Sequence, residues 1–102
     1  MMPSDLIPRV QEKLRELVED ETGRKFGELN VVTEVTQISD GVVLVRYRPL
    51  SPYSPTAVNA GRLIRAAALG VEGVARVSVE CSGHMMDELV NRLVNKEEKQ
   101  KR

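Results

Sequence analysis

VVLVRYRPLSPYSPTAVNAGRLIRAAALGVEGVARVSVEC, residues 42–81, begins as a β-strand, ends as one, and passes through a helical stretch between them. Val43, Val45 and Tyr47 alternate with Val42, Leu44, Arg46 and Arg48, the period-2 pattern of a strand. Residues 48–57 hold three of the five prolines and interrupt that pattern. TAVNAGRLIRAAALG then offers Val58, Leu63, Ile64, Ala67 and Ala68 at helical spacing, with Gly70 as a stop. GVARVSVEC returns to alternation, with Ala75, Val77, Val79 and Cys81 inward and Arg76, Ser78 and Glu80 outward. Strand, helix and strand joined by brief connections call for a right-handed parallel crossover. Both strands then finish along one edge, so the proline stretch and the segment CSGHMM that follows Cys81 are expected to be neighbours.

Working outward, LNVVTEVTQI alternates Leu29, Val31, Thr33 and Val35 against Asn30, Val32, Glu34 and Thr36. The turn residues Ser39–Gly41 join it to the next strand as a hairpin. SDLIPRVQEKLRELVED puts Leu6, Val10, Leu14, Leu17 and Val18 on one helical stripe, with Glu12, Lys13, Arg15, Glu16 and Glu19 opposite. Ser4 is its candidate cap, and Pro8 suits only a first turn. ETGRKFGE, with two glycines, reads as a loop. HMMDELVNRLV is a last helix with Met86, Leu89, Val90 and Leu93 as its stripe. The expected fold is α+β: an α-β-β-α-β-α order, a three-stranded mixed sheet and helices mainly on one face. Residues 1–95 form one domain in this reading, and 96–102 a charged flexible tail. The outward set Val32, Ile38, Val42 and Leu44 is apolar enough to predict a homodimer or partner surface on the other face.

Composition narrows the function. The chain has 102 residues, with fifteen basic and fifteen acidic side chains, so no net field draws it to nucleic acid or an anionic membrane. Aromatics are limited to Phe26, Tyr47 and Tyr53, so the core is aliphatic. Cys81 is the single cysteine, which excludes an internal disulfide and fits a reducing, cytoplasmic setting. No apolar run has the length of a membrane span, and MMPSDLIPRV lacks the parts of a signal peptide. Phosphate-loop, dinucleotide and Ser-His-Asp signatures are absent, so the chain reads as non-enzymatic.

Candidate site residues cluster at the predicted rim. A helix N-terminus favours anions, and Ser51, Ser54 and Thr56 are available to cap it while Pro49, Pro52 and Pro55 stiffen the approach. Cys81 and His84 form a C-x-x-H pair with metal-ligand chemistry, with Asp87 close behind. Cys81 is also in phase with Val77 and Val79, which favours burial as a small hydrophobe. A nucleophile role for Cys81 with His84 as base lacks a third, orienting residue. Arg46, Arg48, Arg62 and Arg65, with Tyr53, make the alternative of a phosphate or nucleic-acid binding module, against which the zero net charge counts. Met85 and Met86 suit either a pliable contact surface or a gap in the core.

LSPYSPTA resembles the T-S-P-x-C-P segment of the family called domain of unknown function 59, or metal-sulfur cluster biosynthesis, which includes SufT, PaaD and the small subunit of the cytosolic iron-sulfur targeting complex. GRLIRAAALGVEGVARVSVE is similar to the family's helix and following strand, and GELNVVTEV to its first strand. The resemblance spans roughly residues 9–94, and the family's α-β-β-α-β-α order agrees with the pattern above. It places Ser54 at the family's usual cysteine, Tyr53 where glycine is frequent, Asp20-Glu21 at its D-P-E, Glu28 at an acidic motif position, and Asn30 where a glycine follows Glu28-Leu29. A serine hydroxyl stays protonated near neutral pH and is a poor iron ligand. The resemblance therefore implies an accessory or adaptor protein in iron-sulfur cluster assembly or delivery without the usual cysteine chemistry. Its partners would be assembly proteins or client apoproteins, and a transient cluster or metal would involve Cys81 and His84. An acidic or carboxylate-bearing segment is the expected guest at the helix N-terminus, with Tyr53 adding apolar contact area.

Overall fold

A computed structural model describes residues 5–96; the Ser4 cap and residues 97–102 of the expected tail lie outside this range. The elements are α1 (Leu6–Arg15), α2 (Phe26–Leu29), β1 (Val32–Ser39), β2 (Val42–Tyr47), α3 (Ala57–Leu69), β3 (Arg76–Cys81) and α4 (Asp87–Asn95). Sheet order is β1-β2-β3, with β1–β2 antiparallel and β2–β3 parallel. This is the expected α+β arrangement with one short helix added. Val43, Val45, Tyr47, Val77, Val79 and Cys81 are buried on one face of the sheet, against Ala57, Ile64 and Ala68 of α3.

Several local expectations give way to tertiary packing. Leu6, Val10 and Leu14 are buried as the stripe requires, and Pro8 occupies the third helical position, where its missing N–H costs no helical bond. The helix stops at Arg15, however, and Val18 is half exposed, bridged to Lys25 in a small loop closed by Glu19 N–H to the Arg24 carbonyl (2.8 Å) and Phe26 N–H to the Leu17 carbonyl (2.7 Å). ETGRKFGE is accordingly not all loop: Phe26 opens α2 and is 2% exposed, and Asn30 ends it at φ 55°. Burying a phenylalanine contributes about 1.5–3 kcal/mol, enough to outweigh weak local helix propensity.

The strand phase also changes. Val32 lies opposite Tyr47 and Glu34 opposite Arg46, so Thr33 is an extra residue that reverses the alternation. Val32 therefore packs against the core and leaves the outward apolar set. Ile38 falls at a second irregularity and is exposed. Ala75 is likewise exposed, since it precedes β3 and its N–H bonds the Gly41 carbonyl at 2.7 Å in the turn region.

Helix α4 is rotated from its expected stripe. Val90 and Val94 are buried, Met86 and Leu89 are exposed, and Leu93 is half-buried. Asn91 and Asn95, one turn apart, lie against the outer edge of β3. Asn95 accepts from Val79 N–H (2.9 Å) and donates to the Val79 carbonyl (2.7 Å), and Asn91 makes the same pair of bonds with Cys81. Two side-chain amides thus replace a missing strand. α3 meets α4 and Tyr47 at Gly61, where an added Cβ would sit 2.5 Å from Val94 Cγ2 and 2.6 Å from the Tyr47 hydroxyl. Gly61→Ala should lower stability by about 1–3 kcal/mol through overpacking, despite alanine's better helix propensity. The urea midpoint should fall with the slope of the transition unchanged.

Candidate functional site

Parallel pairing sets Tyr47 opposite Cys81, so the segments after β2 and β3 leave the sheet side by side. They are tied by backbone bonds: Ser82 N–H to the Tyr47 carbonyl (3.0 Å) and Met85 N–H to the Pro52 carbonyl (2.8 Å). His84 links them further. Its Nδ1 accepts the Met86 N–H at 3.0 Å, which assigns the ring proton to Nε2, and Nε2 donates to the Ser54 carbonyl at 3.1 Å. Asp87 holds the same turn, accepting from His84 N–H (2.8 Å) and Gly83 N–H (3.3 Å). The predicted neighbourhood of Ser54 and His84 is present, with both imidazole nitrogens occupied by the chain itself.

Cys81 faces the other way, into the core, at 4% exposure. Burial pushes its thiol up to about 11, with Asp87 adding to the rise. At neutral pH the sulfur is a packed thiol rather than a thiolate. Tyr47 donates to the Ala57 carbonyl at 2.6 Å, and burial likewise raises its phenol well above the ordinary range. Among the described residues no group of three or more His, Cys, Asp or Glu side chains is placed to hold a metal ion.

The rim contains a cluster that the sequence reading placed elsewhere. Glu19, expected on the polar face of the first helix, is 3% exposed. Its Oε1 accepts Thr22 N–H at 2.8 Å, and its Oε2 accepts the Thr56 hydroxyl at 3.3 Å. Glu21 Oε2 receives Thr56 Oγ1 and Ser54 Oγ, both at 3.2 Å, and the two hydroxyls are 3.2 Å apart. Asp20 accepts from Asn59 of α3. Thr56 occupies the N-cap position of α3 without capping it, because its hydroxyl is turned to the carboxylates. The chain's own acids lie beside this helix end on the Ser54 and Thr56 hydroxyls, and their charge disfavours the expected acidic guest there.

The other candidates separate. Ser51 Oγ accepts Tyr53 N–H at 3.3 Å, and Tyr53 is 70% exposed beside exposed Met85 and Met86, which do not fill the core. Glu28 is exposed and pairs with Arg24 at 3.2 Å, not with the rim. Arg46 is held by Glu34 (3.0 Å) and Glu80 (2.8 Å) on the open face of the sheet. Arg62 donates to the Leu93 carbonyl from α3, on the opposite face, and Arg65 Nε is buried without a partner among the described residues. Arg48 lies beside Gly83 at the rim, so the four arginines do not make one basic surface.

The model of the family described as iron-sulfur cluster assembly protein matches residues 8–80, well over half of the chain. The chain belongs to this family. The assignment carries a role in iron-sulfur cluster assembly. No curated protein matches the sequence. Among solved structures, the crystal structure of a domain of unknown function, DUF59, from Bacillus anthracis superposes with a TM-score of 0.72 at 16% identity, over 78% of this chain and 76% of that one. At that identity it speaks for the fold. No helix among the described residues is long and apolar enough to cross a membrane.

Within this iron-sulfur assembly domain, Glu19 is the most constrained acid. Burial acts to raise its pKa, but hydrogen bonds from the Glu21 and Thr22 backbone and from the Thr22 and Thr56 side chains outweigh it and hold the carboxyl below 4.5. A depressed folded-state value contributes stability that is present above 4.5 and is lost as pH falls through the folded value. Glu19→Gln should therefore flatten the acid limb of a stability–pH profile measured by urea unfolding. An unchanged acid limb would show that the carboxylate contributes nothing.

Proposed function

We propose that the chain is a non-enzymatic accessory or adaptor protein of iron-sulfur cluster assembly or delivery, working through contacts at the Ser54 rim. The observation that carries this reading is the bonding of Ser54 and Thr56 hydroxyls to the Glu19 and Glu21 carboxylates. The rim presents hydroxyls and carboxylates where a cluster-binding role calls for thiolates, and Cys81, the lone thiol, is packed in the core. Around this acidic floor Tyr53, Met85 and Met86 are exposed on segments held rigid by the prolines and by His84. Such a surface fits a partner segment with apolar residues and a basic group, from an assembly protein or a client apoprotein in the reducing cytoplasm. Cys81 and His84 act structurally in this account, as core filler and as tie between the two segments.

Affinity capture from the native cell should recover assembly scaffolds, carriers or cluster-requiring enzymes. Tyr53→Ser combined with Met85→Ser should reduce that recovery severalfold while leaving the circular dichroism spectrum unchanged. Recovery that is identical with and without the rim side chains would remove the docking role. Anaerobic reconstitution with iron and sulfide should give no absorption band that depends on Cys81; a band abolished by Cys81→Ala would make the chain a carrier instead.

A further inference from the structure

The two edges of the sheet are finished differently. β3 is closed by Asn91 and Asn95, whereas β1 is hydrogen-bonded only to β2 and has no described partner on its outer side. β1, VTEVTQIS, has no lysine and no proline, and its one charge, Glu34, is paired with Arg46. The register irregularities sit near its ends and leave Glu34–Gln37 regular.

Along this strand runs an open groove of about 410 Å³ between α1, α2 and β1. Buried Leu14 and Phe26 and half-buried Val32 and Val35 line it, and exposed Glu12 and Arg15 flank it. The Arg15 stem lies so close to Gly27 that a Cβ there would be 3.2 Å from Arg15 Cβ and Cγ. Neither Glu12 nor Arg15 has a salt-bridge partner among the described residues, although five ion pairs are formed elsewhere.

We propose that this edge and groove receive a second copy of the chain, the two β1 strands pairing antiparallel about a two-fold axis at Val35. The proposal does not depend on the rim or its partners. Opposed residues in an antiparallel pair share a face, so only registers that place a residue opposite its own copy keep the buried faces of both sheets on one side. Centring on Val35 sets Glu34 opposite Thr36 of the second copy, a pairing of carboxylate and hydroxyl already made within the strand at 2.7 Å. The α1 helices then run antiparallel across the joined grooves, which presents Glu12 to Arg15 of the second copy and Arg15 to its Glu12. A surface that meets itself must carry both signs in register, and this groove does; a site for a foreign charged segment would carry one. Self-association is thereby placed on the sheet's edge rather than on its outward face.

Sedimentation of the full chain over a concentration series should show a reversible dimer. Glu12→Arg opposes like charges twice and should weaken dimerisation ~tenfold or more, and the double variant Glu12→Arg with Arg15→Glu should restore it, because the complementarity is reinstated with signs exchanged. Val35→Cys should give a covalent dimer under mild oxidant, since directly opposed residues in antiparallel strands lie within disulfide reach. Both charge positions are exposed, so unchanged circular dichroism is expected throughout. A monomer at every concentration, a dimer indifferent to Glu12→Arg, or a dimer without the Val35→Cys cross-link would each overturn the proposal.

Discussion

The parallel union of β2 with β3, ending at the level of Tyr47 and Cys81, is the constraint from which the rest follows. Tyr47 carries it from sheet to helix: its ring is fully buried, and its hydroxyl reaches the Ala57 carbonyl at the start of α3. Gly61 leaves the space that this ring and Val94 occupy. The start of α3 is thus pinned over the strand ends, and the two segments leaving the sheet have no room to part. Hydrogen bonds from Met85 and His84 then hold them together at a definite spacing.

What could be read from the sequence was what depends on period and topology. Val43-Val45-Tyr47 and Val77-Val79-Cys81 alternate without interruption, and the short connection between them admits a single kind of crossover. The neighbourhood of Ser54 and His84 followed from that alone. Features that depend on distant partners left no local trace. Phe26 sits between glycine-bearing segments, and only its burial shows it to be part of a helix. Thr33 looks like any strand residue, yet it is the one left over when Val32 and Glu34 take their partners. Asn91 and Asn95 gain a role only when the edge of β3 is set beside them. Glu19 illustrates the point best, because the hydroxyl that makes its burial tolerable lies 37 residues away.

The acidic corner also shows how one atom changes the character of a site. With oxygen at position 54, the side chain can share hydrogen bonds with Glu21 and Thr56 and remain neutral. A thiolate in the same place would add a negative charge next to two carboxylates and would need a cation to be comfortable. The Ser54 rim is instead balanced within the chain, and this leaves Tyr53, Met85 and Met86 as its outward-facing chemistry.

The carboxamides of Asn91 and Asn95 have a consequence for aggregation. A sheet with two bare margins can be copied on both, and each newcomer exposes another margin, so growth has no natural end. Here one margin is occupied at Val79 and Cys81 by side chains of α4, and a strand could displace them only by moving a helix anchored in the core through Val90 and Val94. Strand addition to this molecule is thereby directed to the β1 side, because Val79 and Cys81 on the other margin already have amide partners.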